Sequence, residues 1–318
     1  MKWRKLGHIF NPAEHRLANG CSTFAKSPQA IVFDRFIRIY FCAQKRSDNG
    51  KYVSCPYYVD LDKNLDKILN LSSHTPLNIG DIGNFDEHGI FPMNVLKHGN
   101  RIMAYTTGWS RRVSVSIEMG IGFAESFDGG ETFIKAGMGG PIMTSQLNES
   151  CLVGDGFVKY YDSNFHMWYI YGNKWKYYNE GIAPDRFYRI AYAHSPDGLN
   201  WHRDGRYIIE SKLQTECQAL PTVFRLRDIY HMYFCYRNAF DFRNNPSNSY
   251  RLGYAFSLDG INWTRCDEKA GIDITPGSWD SDMMCYPNVF KSDNNYFMLY
   301  NGNEFGRHGF GAAILVNP

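Results

Sequence analysis

The chain has 318 residues, with 34 Lys and Arg against 32 Asp and Glu and a formal charge of +2. It therefore has no basic field to draw in nucleic acid, and 44% hydrophobic with 21% charged residues exclude a disordered chain. No apolar run approaches the roughly 20 residues of a membrane helix, and the start, Met1-Lys2-Trp3-Arg4-Lys5-Leu6, lacks the apolar stretch of a secretory signal.

An aromatic content of 16% suits pleated surfaces and predicts a β-rich protein. In chain order, five segments open alike: Pro28-Gln-Ala-Ile-Val, Pro92-Met-Asn-Val-Leu, Gly156-Phe-Val-Lys, Pro221-Thr-Val-Phe and Pro287-Asn-Val-Phe. Successive anchors are 64, 64, 65 and 66 residues apart. Thirteen residues after each anchor stands an aromatic: Phe41, Tyr105, Tyr169, Phe234 and Tyr300. A short turn such as Lys97-His98-Gly99-Asn100 lies between anchor and aromatic, so each unit is predicted to open with a β-hairpin.

The second half of the unit repeats as well. Ala124-Glu-Ser-Phe-Asp-Gly-Gly-Glu-Thr-Phe133, Ala193-His-Ser-Pro-Asp-Gly-Leu-Asn-Trp201 and Ala255-Phe-Ser-Leu-Asp-Gly-Ile-Asn-Trp263 share one form. A strand runs into Ser-x-Asp-Gly, where Asp caps the backbone and Gly permits positive φ. Asp128, Asp197 and Asp259 are therefore expected to form turns and not to act as catalysts. The first unit keeps only Val59-Asp60-Leu61-Asp62. The C-terminal Gly311-Ala-Ala-Ile-Leu-Val-Asn-Pro318 supplies a third strand with no fourth behind it. Lys2-Trp3-Arg4 resembles Asn200-Trp201-His202-Arg203 and Asn262-Trp263-Thr264-Arg265. The expectation is one all-β domain over 1–318, a five-bladed β-propeller closed by the N-terminal strand, with a solenoid as the lesser alternative.

In such a blade the segment leading into the first strand and the segment leaving the second lie on one face. The lead-ins carry Asp86-Glu87-His88-Gly89, Asn148-Glu149-Ser150-Cys151, Thr215-Glu216-Cys217 and Trp279-Asp280-Ser281-Asp282. The lead-outs carry Gln44-Lys45-Arg46, Trp109-Ser110-Arg111-Arg112, Asn173-Lys174-Trp175, Tyr236-Arg237-Asn238 and Asn301-Gly302-Asn303-Glu304. Carboxylates, guanidinium groups, amides and rings on one rim suit a sugar and acid/base work on its glycosidic bond. The bland alternative is a polar rim whose acids are paired with its arginines.

The five-fold pitch and the runs Asp86-Glu-His-Gly-Ile-Phe-Pro92, His166-Met-Trp-Tyr169 and Trp279-Asp-Ser-Asp-Met-Met-Cys-Tyr-Pro287 resemble the five-bladed propeller glycosidase superfamily. That group holds glycoside hydrolase families 32, 43, 62, 68 and 130. The chain is similar, more closely, to glycosidase-like proteins that occur with bacterial surface-polysaccharide biosynthesis genes. The resemblance matches Asp86 or Glu87 to the second-blade carboxylate and Glu149 to the third-blade general acid, and the extra lead-in acids Glu216 and Asp282 complete the expected catalytic set around the pocket. Trp109, Arg111, Arg112, Lys174, Trp175, Arg237, Asn301 and Glu304 would bind substrate. The first lead-in, Asn19-Gly-Cys-Ser-Thr-Phe-Ala25, has no acid, and Glu14 is out of register, so the superfamily's first-blade base has no counterpart.

Three functions follow as expectations: hydrolysis of a glycosidic bond; phosphorolysis or glycosyl transfer, with Lys45, Arg46, Arg111, Arg112, Lys174 and Arg237 holding phosphate; or an inert sugar-binding propeller. The expected partner is an oligosaccharide or sugar phosphate, not nucleic acid, and no cofactor is implied. His88, His166 and His231 lack metal-ligand spacing, Gly129-Gly130 and Gly139-Gly140 read as turns, and no nucleophile elbow is present. The eight cysteines show no CxxC or disulfide framework and read as reduced thiols of a cytoplasmic protein.

Overall fold

Glycine, asparagine and aspartate turns punctuate runs of aromatic and branched residues, and those runs extend as strands. In the computed structural model, which describes residues 1–21, 23–47, 50–178 and 183–316, β1 (Trp3–Phe10) comes first. Ser22 of the first lead-in and the last two residues lie outside the described residues. The first group of strands is β2 (Thr23–Val32), β3 (Ile37–Arg46), β4 (Tyr52–Leu61) and β5 (Ile68–Leu71). The second is β6 (Gly89–His98), β7 (Arg101–Arg111), β8 (Ile117–Ser126) and β9 (Ile134–Lys135). The third is β10 (Cys151–Tyr161), β11 (Asn164–Lys176), β12 (Asp185–Ser195) and β13 (His202–Tyr207). The fourth is β14 (Glu216–Leu226), β15 (Ile229–Asn238), β16 (Arg251–Ser257) and β17 (Thr264–Arg265). The chain ends with β18 (Cys285–Ser292), β19 (Asn295–Asn301) and β20 (Phe310–Leu315). Among the described residues, helix is confined to one turn at Asn303–Gly306 and short 3₁₀ turns.

Each group is an antiparallel meander, and a single parallel bridge between Ser54 and Gly89 joins the first two into one eight-stranded sheet. The last sheet runs β1-β20-β19-β18, with Trp3 opposite Leu315 and Phe10 opposite Phe310. The repeated aromatics Phe41, Tyr105, Tyr169, Phe234 and Tyr300 all lie on second strands and are buried between sheets. The Asp turns form as expected: Asp197 accepts the Leu199 and Asn200 N–H groups at 2.8 Å each, and Asp259 takes those of Ile261 and Asn262. Those backbone bonds hold the Asp197 carboxyl well below the ordinary range.

The first strands pack on one another in order, β2 on β6, β6 on β10, β10 on β14, β14 on β18, and β18 back on β2. Side chains stitch these contacts. Gln29 Oε1 accepts from Asn94 Nδ2 at 3.0 Å and from Asn288 Nδ2 at 3.1 Å, while the Ala30 N–H bonds Asn288 Oδ1. The Val158 N–H bonds Asn94 Oδ1, the Leu220 N–H bonds Asp155 Oδ2, and the Val289 N–H bonds Thr222 Oγ1. Each neighbour pair thus shares at least one buried hydrogen bond. Replacing Gln29 by Ala strands the Asn94 and Asn288 amides, at about 1–3 kcal/mol for each unsatisfied group. We expect urea denaturation of Gln29→Ala to show about 2–4 kcal/mol lower stability, against which a loss below about 0.5 kcal/mol would deny the circuit a structural role.

Candidate active site

The same place in every first strand is irregular. Register shifts fall at Lys26–Gln29, Ile90–Met93, Gly154–Phe157, Ala219–Thr222 and Cys285–Asn288. Ser27, Asp155, Leu220 and Tyr286 take positive φ there, and a cis bond joins Phe91 to Pro92. A bulge re-aims a side chain away from the pleat. Here it sends Lys26, Phe91, Asp155, Leu220 and Tyr286 to line one central cavity of about 390 Å³. Glycines flank the acid on both sides, and a Cβ at Gly154 would run into Met119 Cε and Thr107 Cγ2.

Seven aromatics line the cavity: Phe91, Trp109, Tyr188, Phe242, Tyr250, Tyr286 and Phe305. Its cations are Lys26, Arg186, Arg237 and Arg243, and Asp155 is the one acid among the lining residues. No ion pair engages any of the four cations among the described residues. Arg237 is buried and lies 3.5 Å from the Phe242 ring centroid. Its Nη1 donates to the Asn238 and Ala239 carbonyls and its Nη2 to Tyr188 Oη at 2.9 Å, while its Nε has no partner. Burial pushes the Lys26 ammonium down to about 8 and the phenols of Tyr250 and Tyr286 well up.

Asp155 donates its N–H to Thr107 Oγ1 at 2.7 Å and accepts from the Leu220 N–H at 3.3 Å. Burial pushes its carboxyl up to about 7, against the opposing pull of the Leu220 N–H and the Arg186 charge. Such a group can hold a proton at neutrality and release it, as a general acid must.

The acids expected to surround one pocket do not do so. Asp86, Glu149 and Glu216 are buried between their lead-in and the outermost strand of their own sheet. Asp86 pairs with Lys135 at 2.6 Å, Glu149 with Arg203 at 2.5 Å and with Tyr169 Oη, and Glu216 with Arg265 at 2.7 Å. Asp280 repeats this with Lys5 of β1 at 2.5 Å. A buried carboxylate needs such a partner, and the partner closes the sheet on its lead-in. Asp282 is exposed, and Ser281 Oγ donates to it. Asn301 is buried, accepting the Ser27 N–H and donating to the Ala25 and Gly309 carbonyls. Glu304 pairs at the surface with Arg307 and His308, Lys174 lies over Phe187, and Trp175 does not line the cavity. Of the expected binding residues, Trp109 and Arg237 reach the cavity. Glu87, Arg111 and Arg112 line an adjacent recess instead.

Asp155, Lys26, Arg186 and Arg243 escaped the sequence reading. A signal for Asp155 existed: the residues just before the five anchors are Ser27, Phe91, Asp155, Leu220 and Tyr286, and one of them is charged.

The chain aligns over 98% of its length with 90% of a solved protein named as a glycoside hydrolase, at TM-score 0.72 and 16% identity. It aligns over 99% with 96% of the β-1,2-mannobiose phosphorylase from Listeria innocua in complex with β-1,2-mannobiose, at 0.68 and 11%. An endo-arabinase from Bacteroides thetaiotaomicron matches 98% of both chains at 0.62 and 15%. The fold is that of the β-propeller glycosidases and glycoside phosphorylases, including family 43, family 32 and family 130 proteins. No family model matches the chain. Its sequence is 33% identical, over 327 aligned positions and the whole of both chains, to the Mycobacterium tuberculosis proteins named Uncharacterized protein Rv1502 and Uncharacterized protein MT1551. The chain belongs to the family of these mycobacterial proteins.

The raised carboxyl has a sign that stability measurements read. The folded protein holds a proton on Asp155 up to about pH 7, whereas an unfolded chain releases it near 3.8. Its stabilising contribution is full below pH 3.8 and is lost as pH rises through about 7, by up to about 4 kcal/mol. Asp155→Asn should therefore gain stability relative to wild type between pH 5 and pH 8 in paired urea titrations. An equal pH response in both proteins would show that Asp155 is ionised throughout.

Proposed function

We propose that this protein is a carbohydrate-active enzyme working on a glycosidic bond in the central cavity, with Asp155 as proton donor and a phosphate-type anion as the attacking or leaving group. One observation carries the reading: among the described residues a single carboxyl, poised to protonate near neutrality, shares the cavity with four cations that have no carboxylate partner. Two-carboxylate hydrolysis needs a second acid within about 5–10 Å to activate water or to attack. The described lining residues include none, which favours a nucleophile that brings its own charge. Phosphate does, and guanidinium forks suit its oxygens. The rings are available for the apolar faces of the sugar.

In the phosphorolytic direction a phosphate oxygen bonds to the anomeric carbon as the carbon–oxygen bond to the leaving sugar breaks. Asp155 gives its proton to that leaving oxygen, and the proton of hydrogen phosphate restores the carboxyl. Glycosyl transfer from a phosphate-bearing donor is the reverse traffic through the same groups.

This reading takes residues 1–318 as one domain of five four-stranded blades around the cavity, closed by the N-terminal strand. The cyclic packing of the first strands and the pairing of β1 with β20 support it. The eight unpaired cysteines support a reducing, cytoplasmic setting. No described helix is long and apolar enough to cross a membrane. The resemblance to proteins of bacterial surface-polysaccharide biosynthesis supports a role in that metabolism.

The test is turnover of an oligosaccharide panel with and without inorganic phosphate, and with nucleotide-sugars as donors. We expect phosphate-dependent release of a sugar phosphate that fades above about pH 7 and falls on the order of 10²–10⁴-fold in Asp155→Asn. Turnover in plain buffer, indifferent to phosphate and to Asp155→Asn, would establish hydrolysis elsewhere on the rim. Binding without turnover over long incubation would establish an inert sugar-binding propeller.

A further inference from the structure

Beside the cavity lies a second recess of about 630 Å³ that the proposed chemistry leaves unused. The segment from Trp109 to Met119 divides the two. Trp109 and Ile117 face the cavity, Arg111, Arg112 and Glu118 face the recess, and Met119 lines both. A ligand leaving the cavity over Met119 would enter the recess directly.

The recess has the makings of a sugar site. Gly139 and Gly140 carry no side chain into it, leaving room for a bulky ligand. Phe85 lies among them, half-buried. A Cβ at Gly108, Gly120 or Gly122 would meet its ring, so three glycines form a slot that fixes the ring in place. A fixed ring can stack on the carbon face of a sugar without losing rotamer freedom. Glu87 is held by the Gly83 N–H at 2.9 Å. The Arg112 guanidinium is exposed and makes no hydrogen bond or ion pair among the described residues. Ring, carboxylate and free guanidinium together match the alternating faces of a saccharide.

We propose that this recess is a second saccharide subsite, so that the substrate is an oligosaccharide chain and not a disaccharide or a lone sugar phosphate. The inference rests on the carbohydrate reading of the cavity. The unit at the reacting bond occupies the cavity, and later units cross Met119 and stack on Phe85 with their hydroxyls at Arg112 and Glu87.

Phe85→Ala empties the glycine slot and endangers the fold, so the informative variants are Ser145→Trp, which fills the recess from its exposed wall, and Arg112→Ala. Affinities would be measured for linear manno-, arabino- and galacturono-oligosaccharides of one to six units, and for inorganic phosphate. Wild type should gain at least about tenfold affinity with length in one series. Ser145→Trp should erase that gain, Arg112→Ala should lower it about threefold, and phosphate affinity should stay as in wild type. Length-independent affinity, or a gain that survives Ser145→Trp, overturns the subsite while leaving the cavity reading intact. If wild type retains neither glycan nor phosphate, both fall.

Discussion

The structure depends on how the first strands are held without a sheet between them. β2, β6, β10, β14 and β18 each present one edge to the centre, where ladder partners are missing. Buried backbone groups cannot stay unpaired, and here the side chains of Asn94, Asn288, Thr222 and Asp155 accept N–H groups in the role of a neighbouring strand, while Gln29 ties Asn94 to Asn288. These bonds fall beside the bulges, so the device that satisfies the edges also fixes where the bulged side chains point. Asp155 belongs to both: its carboxylate oxygen receives a neighbouring strand's N–H while its side chain lines the cavity.

Much of this was legible. The anchor-to-aromatic spacing located the hairpins because a strand that must reach the same depth in each unit keeps a fixed length. Ser-Asp-Gly turns were readable because few residues satisfy that backbone. The site was harder to read for a physical reason. Glu149 and Glu216 attract notice as acids at equivalent places, yet they are equivalent because each closes its own sheet through Arg203 or Arg265. The partner was visible too: Phe133-Ile-Lys135, Trp201-His-Arg203, Trp263-Thr-Arg265 and Trp3-Arg-Lys5 place a base two residues after the aromatic. A feature that recurs from unit to unit serves the units, whereas Asp155 marks a place where the repeat is broken. Arg243 shows the remaining limit, since it enters from the long connection between β15 and β16, whose course no periodicity encodes, while Arg186 sits at the start of β12 with no counterpart in the repeat.

The cavity is electrostatically unfinished. Among its described lining residues are four cations and one carboxyl that resists ionising, and Arg237 rests on rings and backbone carbonyls with its Nε unmet. Such an arrangement is tolerated in a folded protein when aromatic faces and carbonyl dipoles supply part of the missing negative charge. It also means that an anion entering the cavity meets groups already oriented and partly stripped of water, so little reorganisation opposes its binding. The aromatic density of the chain thus has a local meaning in addition to its role in the sheets.

The pairing of β1 with β20 carries a consequence for how the protein is made. During synthesis β1 emerges while its partner is still hundreds of residues from being translated, so it must wait, unpaired, until β20 has been made. Trp3 and Lys5 meet Tyr233 and Asp280 under the same delay. The sheets between can form as they appear, but the last cannot, which makes completion a late and long-range event. A nascent chain stalled short of β20 would leave an exposed strand ready to join another molecule, and quality control in the cell would meet this protein chiefly at that stage.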